Sequence, residues 1–155
     1  MLKSAMVQLN NAIVALQKEK VGVRFAYAMA KNVAKMKDEI TALAAAEGAS
    51  RGEYEKQRVA LCRQYCDKDG NGKPVMVDGK FSGLSECPEF HVAVAKLMET
   101  FNPKIADFDK MMSEEIALDL HKVALTDFPE QLTGEQMAAL LPVVDDKPNE
   151  AANGK

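Results

Sequence analysis

Cys62 and Cys66 stand four residues apart, as do Cys87 and His91, and between the two pairs runs Asp67-Lys68-Asp69-Gly70-Asn71-Gly72. Two metal chemistries are interleaved here. Asp67, Asp69, Asn71 and Gly72 match positions 1, 3, 5 and 6 of a calcium-binding EF-hand loop, with Asp78 at position 12. Pro74 stands at position 8, however, where an apolar strand residue is needed, and Gly79-Lys80-Phe81-Ser82-Gly83 cannot continue as the exiting helix. A turn is the simpler reading. Zinc would use Cys62, Cys66, Cys87 and His91, since residues four apart on a helix share a face. A β-hairpin over 67–86 would bring the two pairs together. Structural zinc sites usually draw one pair from a tighter knuckle with two intervening residues, so helix-end packing of the cysteines competes with this set. Nothing marks an oxyanion hole or an orienting carboxylate beside Cys87 and His91, the two-residue step of Asp119 and His121 is common on solvated strand faces, and no catalytic residue is assigned.

A binding chemistry is written elsewhere. Lys20, Arg24, Tyr27, Lys31 and Lys35 recur at steps of four, three, four and four, which lays four cations and one aromatic ring along one helical face. Cations hold phosphate oxygens and a tyrosine ring stacks on a base, so this stripe suits an anionic, nucleotide-like ligand. A plain solvated face is the competing reading.

The elements that must carry these residues are mostly helical. Met6, Leu9, Ile13 and Leu16 predict an amphipathic helix over 3–18, with a break at Lys18 to Gly22. Phe25, Met29, Val33, Met36, Ile40 and Leu43 predict a longer one, with Gly48 at its stop. Ser50-Arg51-Gly52-Glu53 reads as a capping box opening a third helix with Tyr54, Leu61 and Tyr65 on one face, so the two helices should fold back as an antiparallel hairpin. Asp67 to Ser85 predicts a small β-hairpin, since Asp69-Gly70-Asn71-Gly72 tolerates positive φ and the extended Pro74-Val75-Met76-Val77 is followed by Asp78-Gly79. Pro88 opens a helix burying Phe90, Val94, Leu97, Met98 and Phe101, which Asn102-Pro103 should break before a short helix over 104–113. Alternation at Ile116, Leu118 and Leu120 predicts a strand over 115–123, and Thr133-Gly134-Glu135-Gln136 caps a short helix that Pro142 ends. The fold class expected is mainly α with minor β: a long antiparallel helical hairpin, a small β-hairpin or sheet and a short C-terminal helix. It forms one domain over 1–144, with 145–155 a flexible polar tail.

Composition agrees. The 155 residues are 47% hydrophobic but only 6% aromatic, without Trp and with nine Met, which favours packed helices over a β-sandwich. A formal charge of -3 gives no global pull toward nucleic acid. Its distribution is uneven: residues 1–60 hold ten Lys/Arg against six Asp/Glu, and residues 111–155 three against nine. Three cysteines do not make a disulfide framework, no apolar run reaches membrane-spanning length and no signal peptide is evident, so a cytoplasmic protein is expected.

Val21-Gly22-Val23-Arg24-Phe25-Ala26-Tyr27-Ala28-Met29-Ala30-Lys31-Asn32 resembles the early helix of short proteins of unknown function encoded by tailed bacteriophages. Asp69-Gly70-Asn71-Gly72-Lys73-Pro74 is similar to their hairpin, and Ile116–Val123 with Thr133–Pro142 to their closing strand and capped helix. The cysteine pairs are not part of that pattern. The resemblance implies a phage accessory protein in the host cytoplasm, non-enzymatic and without a cofactor. It would act as a homo-oligomer that sequesters an anionic small molecule, such as a nucleotide immune signal, in an anti-defence role. An assembly or structural protein that binds a virion component through its helical hairpin is the alternative.

Overall fold

Helix α1, Lys3–Leu16, forms where the three- and four-residue apolar steps predict it, and Met6, Leu9, Ile13 and Leu16 are all buried. The chain is a computed structural model that describes residues 1–145. Of the expected tail only Asp145 is described, and it ends a short strand; residues 146–155 lie outside the described residues. The contacts divide the chain into two compact units, one of residues 1–42 with the chain from 112 onward, the other of 43–111.

In the first unit, α1 packs on α5 (Gly134–Leu140), whose Leu140 is fully buried, as is Val143 just beyond it. Thr133 and Gln136 make both halves of the capping box that their spacing predicts. Helix α2, Val23–Glu47, begins after the break at 17–22 and buries Phe25, Met29 and Met36. The ring of Phe25 meets Phe128 edge-on at 5.2 Å. The segment expected as a strand over 115–123 keeps the in–out alternation as far as His121, with Leu120 buried and Asp119 and His121 exposed, and then loses it, since Lys122 is exposed and Val123 buried. It is not a ladder, however. Glu115 makes a single antiparallel bridge with Leu2, and beyond it only β3, Val123–Ala124, pairs, in parallel with β4, Val144–Asp145. The rest is tied by isolated bonds: Ile116 N–H to Met1 O at 2.8 Å, Met1 N to Ile116 O at 3.0 Å, and Asn32, fully buried on α2, to the backbone of His121. Alternation records which side chains face inward; it does not choose the group that satisfies the backbone. Lys3 bridges Glu39 and Glu114 at 3.1 Å each, and hydrogen bonding to Glu39 first, then Glu114, holds its ammonium above the usual lysine range.

In the second unit the long helical hairpin is present, but its arms are not the expected ones. The turn expected at Gly48–Gly52 does not form. Those five residues are a π-helical segment that leads straight into α3, Glu53–Tyr65. Gly48 and Gly52 stay out of the left-handed region that a glycine stop requires. Ser50 caps nothing; its hydroxyl donates back to Ala46 O at 2.9 Å and Glu47 O at 3.3 Å. The chain reverses instead through 66–87, and α4, Pro88–Met112, returns against α3. Tyr65 faces Phe90 and Tyr54 faces Phe101, with ring centroids 6.3 and 6.1 Å apart, while Arg51 pairs with Asp109. The rising numbers on one arm against falling numbers on the other mark the antiparallel pairing. Pro88 starts α4 as expected, but Pro103 does not break it. An interior proline costs about 3 kcal/mol. Phe101 and Phe108, 3% and 5% exposed, lie on either side, and their burial returns about 3–6 kcal/mol. Met98, expected in the buried face, is 44% exposed.

The reversal holds the expected β-hairpin. β1, Met76–Val77, pairs with β2, Lys80–Phe81, through Asp78 (φ 50°) and Gly79 (φ 75°), the positive angles that a two-residue turn demands. This pair and the β3–β4 pair are separate sheets, whereas the hairpin and the 115–123 strand were expected to share one. Gly83 is required by two conditions at once: its φ is 78°, and a Cβ there would meet the Asp67 carboxylate carbon at 2.6 Å. Gly83→Ala should therefore cost about 1–3 kcal/mol, read as a lowered melting temperature with faster amide exchange in 66–87. Adding Asp67→Ala should return the steric part of that loss. An unchanged exchange pattern in Gly83→Ala would show the contact to be unimportant.

Candidate functional site

The two metal patterns resolve into local hydrogen bonding. Asp69 Oδ1 accepts from Asn71 N–H at 2.9 Å and Lys73 N–H at 2.8 Å, and Asp67 Oδ2 accepts from the Ser82 hydroxyl at 2.8 Å. The carboxylates that calcium would need are holding the loop together. Cys62 and Cys66 are buried at the end of α3, where Arg58 Nη1 lies 3.8 Å from the Cys62 sulfur and the Cys66 thiol donates to Arg63 O at 3.5 Å. Arg58 itself is held above the ordinary range for arginine, chiefly by hydrogen bonding to Glu55. Cys87 donates to Glu89 Oε2 at 3.6 Å, and His91 Nε2 lies 3.2 Å from Ser85 O. Each member of the zinc set thus has its own neighbour. Among the described residues no three His, Cys, Asp or Glu side chains gather to hold a metal ion.

The basic stripe is only partly assembled. Arg24, Tyr27, Lys31 and Lys35 do share the exposed face of α2, because steps of three and four return to one side of a helix. Lys20 precedes the helix and lines a separate hollow of about 750 Å³ with Lys18, Glu19, Glu130 and Gln131, whose charges are of both signs. Lys35 is drawn away too: its ammonium bonds to Asp119 O and lies 3.3 Å from Asp119 Oδ2. That contact also takes the carboxylate that the pairing with His121 would have used. What remains is compact. The Tyr27 side chain is 62% exposed, Lys31 Nζ sits 5.7 Å from its ring centroid, and Arg24 one turn earlier has no ion-pair partner among the described residues. Chemically this is a π-face with one cation beside it and a free guanidinium fork within reach, suited to an anion carrying an aromatic ring.

Two features of this helix went unread in the sequence. Asn32 interrupts the apolar row between Met29 and Met36 at steps of three and four, and that position was the available signal for a buried polar anchor. Asp38 follows Arg24 and Lys31 at steps of seven.

Comparisons with protein-family models, with curated proteins and with solved structures return no match for this chain. No helix among the described residues is long and apolar enough to cross a membrane.

Proposed function

We propose that this chain is a non-enzymatic binding protein that holds an anionic, nucleotide-like small molecule on the exposed face of α2. The observation that carries the reading is the exposed Tyr27 ring with Lys31 beside it and an unpaired Arg24 one turn away. Arg24 offers a planar donor fork to phosphate oxygens, Lys31 a point charge, and Tyr27 a stacking surface. Lys20 and Lys35 contribute only through the field around the site. The likeness of Val21–Asn32 to short proteins of tailed phages suggests the ligand class, a nucleotide signal of host immunity, and with it a sequestering role in the host cytoplasm.

A panel of cyclic dinucleotides and ADP-ribose-type nucleotides should raise the melting temperature of the purified protein. Arg24→Glu and Lys31→Glu should each weaken binding about ten- to a hundredfold, the size expected on losing a charge-assisted hydrogen bond. Both residues are exposed, so neither change should lower the stability of the free protein appreciably. A flat thermal response across the panel defeats the proposal.

The second reading, an assembly protein that docks a virion component through its helical hairpin, draws on the α3–α4 seam. Tyr54, Leu61, Tyr65, Phe90, Val94 and Leu97 are only half-buried there. A two-helix seam covers each side chain from one direction, and a partner would cover the other. Co-purification with a virion protein, lost on Leu97→Glu, would favour it.

A further inference from the structure

The outward face of α2 carries a second pattern. Val23, Tyr27, Ala30, Ala34, Lys37 and Thr41 follow at steps of four, three, four, three and four, and all are exposed, Val23 at 86%. That spacing is the seam of a coiled coil. Along one edge of it run Arg24, Lys31 and Asp38, each seven residues after the last, also exposed. Neither Arg24 nor Asp38 has an ion-pair partner among the described residues. The row is positive at its start and negative at its end.

We propose that this face docks antiparallel on the same face of a second copy of this chain, and that the pairing completes the anion site with a second Lys31. When two such helices pack antiparallel about a two-fold axis, matching edge rows face each other, and residue i meets j while j meets i. With Lys31 at the axis, Arg24 lies against Asp38 of the partner subunit and Asp38 against the partner's Arg24. The fourteen residues between them set the two ion pairs about 21 Å apart along the helix. Ala30 then faces Ala34 of the partner subunit, and side chains this small let the two backbones approach closely. A parallel pairing would set the charged row against Ala26, Val33 and Ile40 and leave every charge unmatched. The row complements itself, which is why the occupant is a second copy and not a different protein.

Only Lys31 meets its own kind. Two ammonium groups side by side repel unless an anion lies between them, so a phosphate placed on the axis takes one contact from each copy. This part rests on the ligand reading above; the helix pairing does not.

Sedimentation velocity on the full chain, run beside thermal shift with a cyclic dinucleotide as probe, separates the two. The wild-type chain should be a dimer. Arg24→Glu and Asp38→Lys should each raise the dimer dissociation constant about tenfold or more, because each turns both ion pairs into like-charge contacts. The double variant Arg24→Glu/Asp38→Lys should restore the dimer with the charges exchanged. Circular dichroism should show all three fully helical, since neither side chain is buried. A monomeric wild-type chain, or a double variant no tighter than the singles, overturns the pairing whatever the probe does. A nucleotide shift lost in Asp38→Lys, which leaves Arg24, Tyr27 and Lys31 in place, supports the shared site; a shift retained by monomeric Asp38→Lys overturns it. A dimer with no shift for any nucleotide defeats the ligand reading alone.

Discussion

Asn32→Ala is expected to lower the melting temperature by roughly 5–15 °C, the largest loss for any polar substitution in the first unit. Asn32 is fully buried, and its amide works in both directions: Nδ2 donates to His121 O at 3.0 Å, and Oδ1 accepts from His121 N–H at 2.7 Å. It thereby supplies the two bonds that a neighbouring strand would otherwise give that residue. Removing it orphans a backbone donor and a backbone acceptor that are partly buried, at about 1–3 kcal/mol each. Asn32→Asp should be no milder. It keeps the acceptor but turns a carboxylate toward the His121 carbonyl, where the donor is needed. Asn11→Ala, on the exposed side of α1, serves as the control and should change little. A loss below about 1 kcal/mol for Asn32→Ala would show that water takes over both bonds.

The same residue shows where the sequence stops being readable. Period and punctuation announced α1, the Asp78-Gly79 turn, Pro88 as a helix start and the Thr133 cap, because each is a local agreement between residue type and backbone angle. The errors fall where tertiary packing overrode a local signal. Gly48, Ser50 and Gly52 have the chemistry of a stop and a cap, yet the helix runs through them into α3. Pro103 has the chemistry of a break, yet two buried phenylalanines hold α4 together across it. The alternation at 116–121 was read correctly for burial and wrongly for pairing, since the partner of His121 is a side chain 89 positions away. For the candidate site the outcome is similar. Spacing alone placed Arg24, Tyr27, Lys31 and Lys35 on one face. It could not show that Asp119 would engage Lys35, whereas the break read at Lys18 to Gly22 already set Lys20 outside the helix.

What the fold adds to that site is a division of labour on one helix. The inward face of α2, with Phe25, Met29, Asn32 and Met36, anchors the first unit, and all four are buried almost completely. The outward face, with Tyr27 and Val23 among its exposed residues, contributes almost nothing to that burial. A large exposed apolar side chain is ordinary singly, but Val23 and Tyr27 stand at seam spacing with the small Ala30 and Ala34, beside unpaired charges, as a binding surface would have them. Stability and binding should therefore be separable by mutation, although the residues alternate along the chain.

Phe25→Ala is the sharpest test of that separation and should give the greatest stability loss of any single truncation named here, about 3–5 kcal/mol. Phe25 is 1% exposed, and its removal deletes both its own burial and the edge-on contact with Phe128. The melting temperature should fall by roughly 6–20 °C. Arg24 is its immediate neighbour in sequence, about 100° round the helix. Affinity measured well below the transition, where the variant is still folded, should stay within about twofold of wild type. Arg24→Glu should show the inverse pattern, with its melting temperature nearly unchanged and its affinity lost. If Phe25→Ala instead weakened the ligand as much as Arg24→Glu does, the ligand would have to reach the inner side of α2. The place for it would be the apolar cavity of about 130 Å³ that Phe25 lines with Ile13, Leu16 and Met29. A hollow that small admits no nucleotide, so such a result would change the ligand class as well as the site.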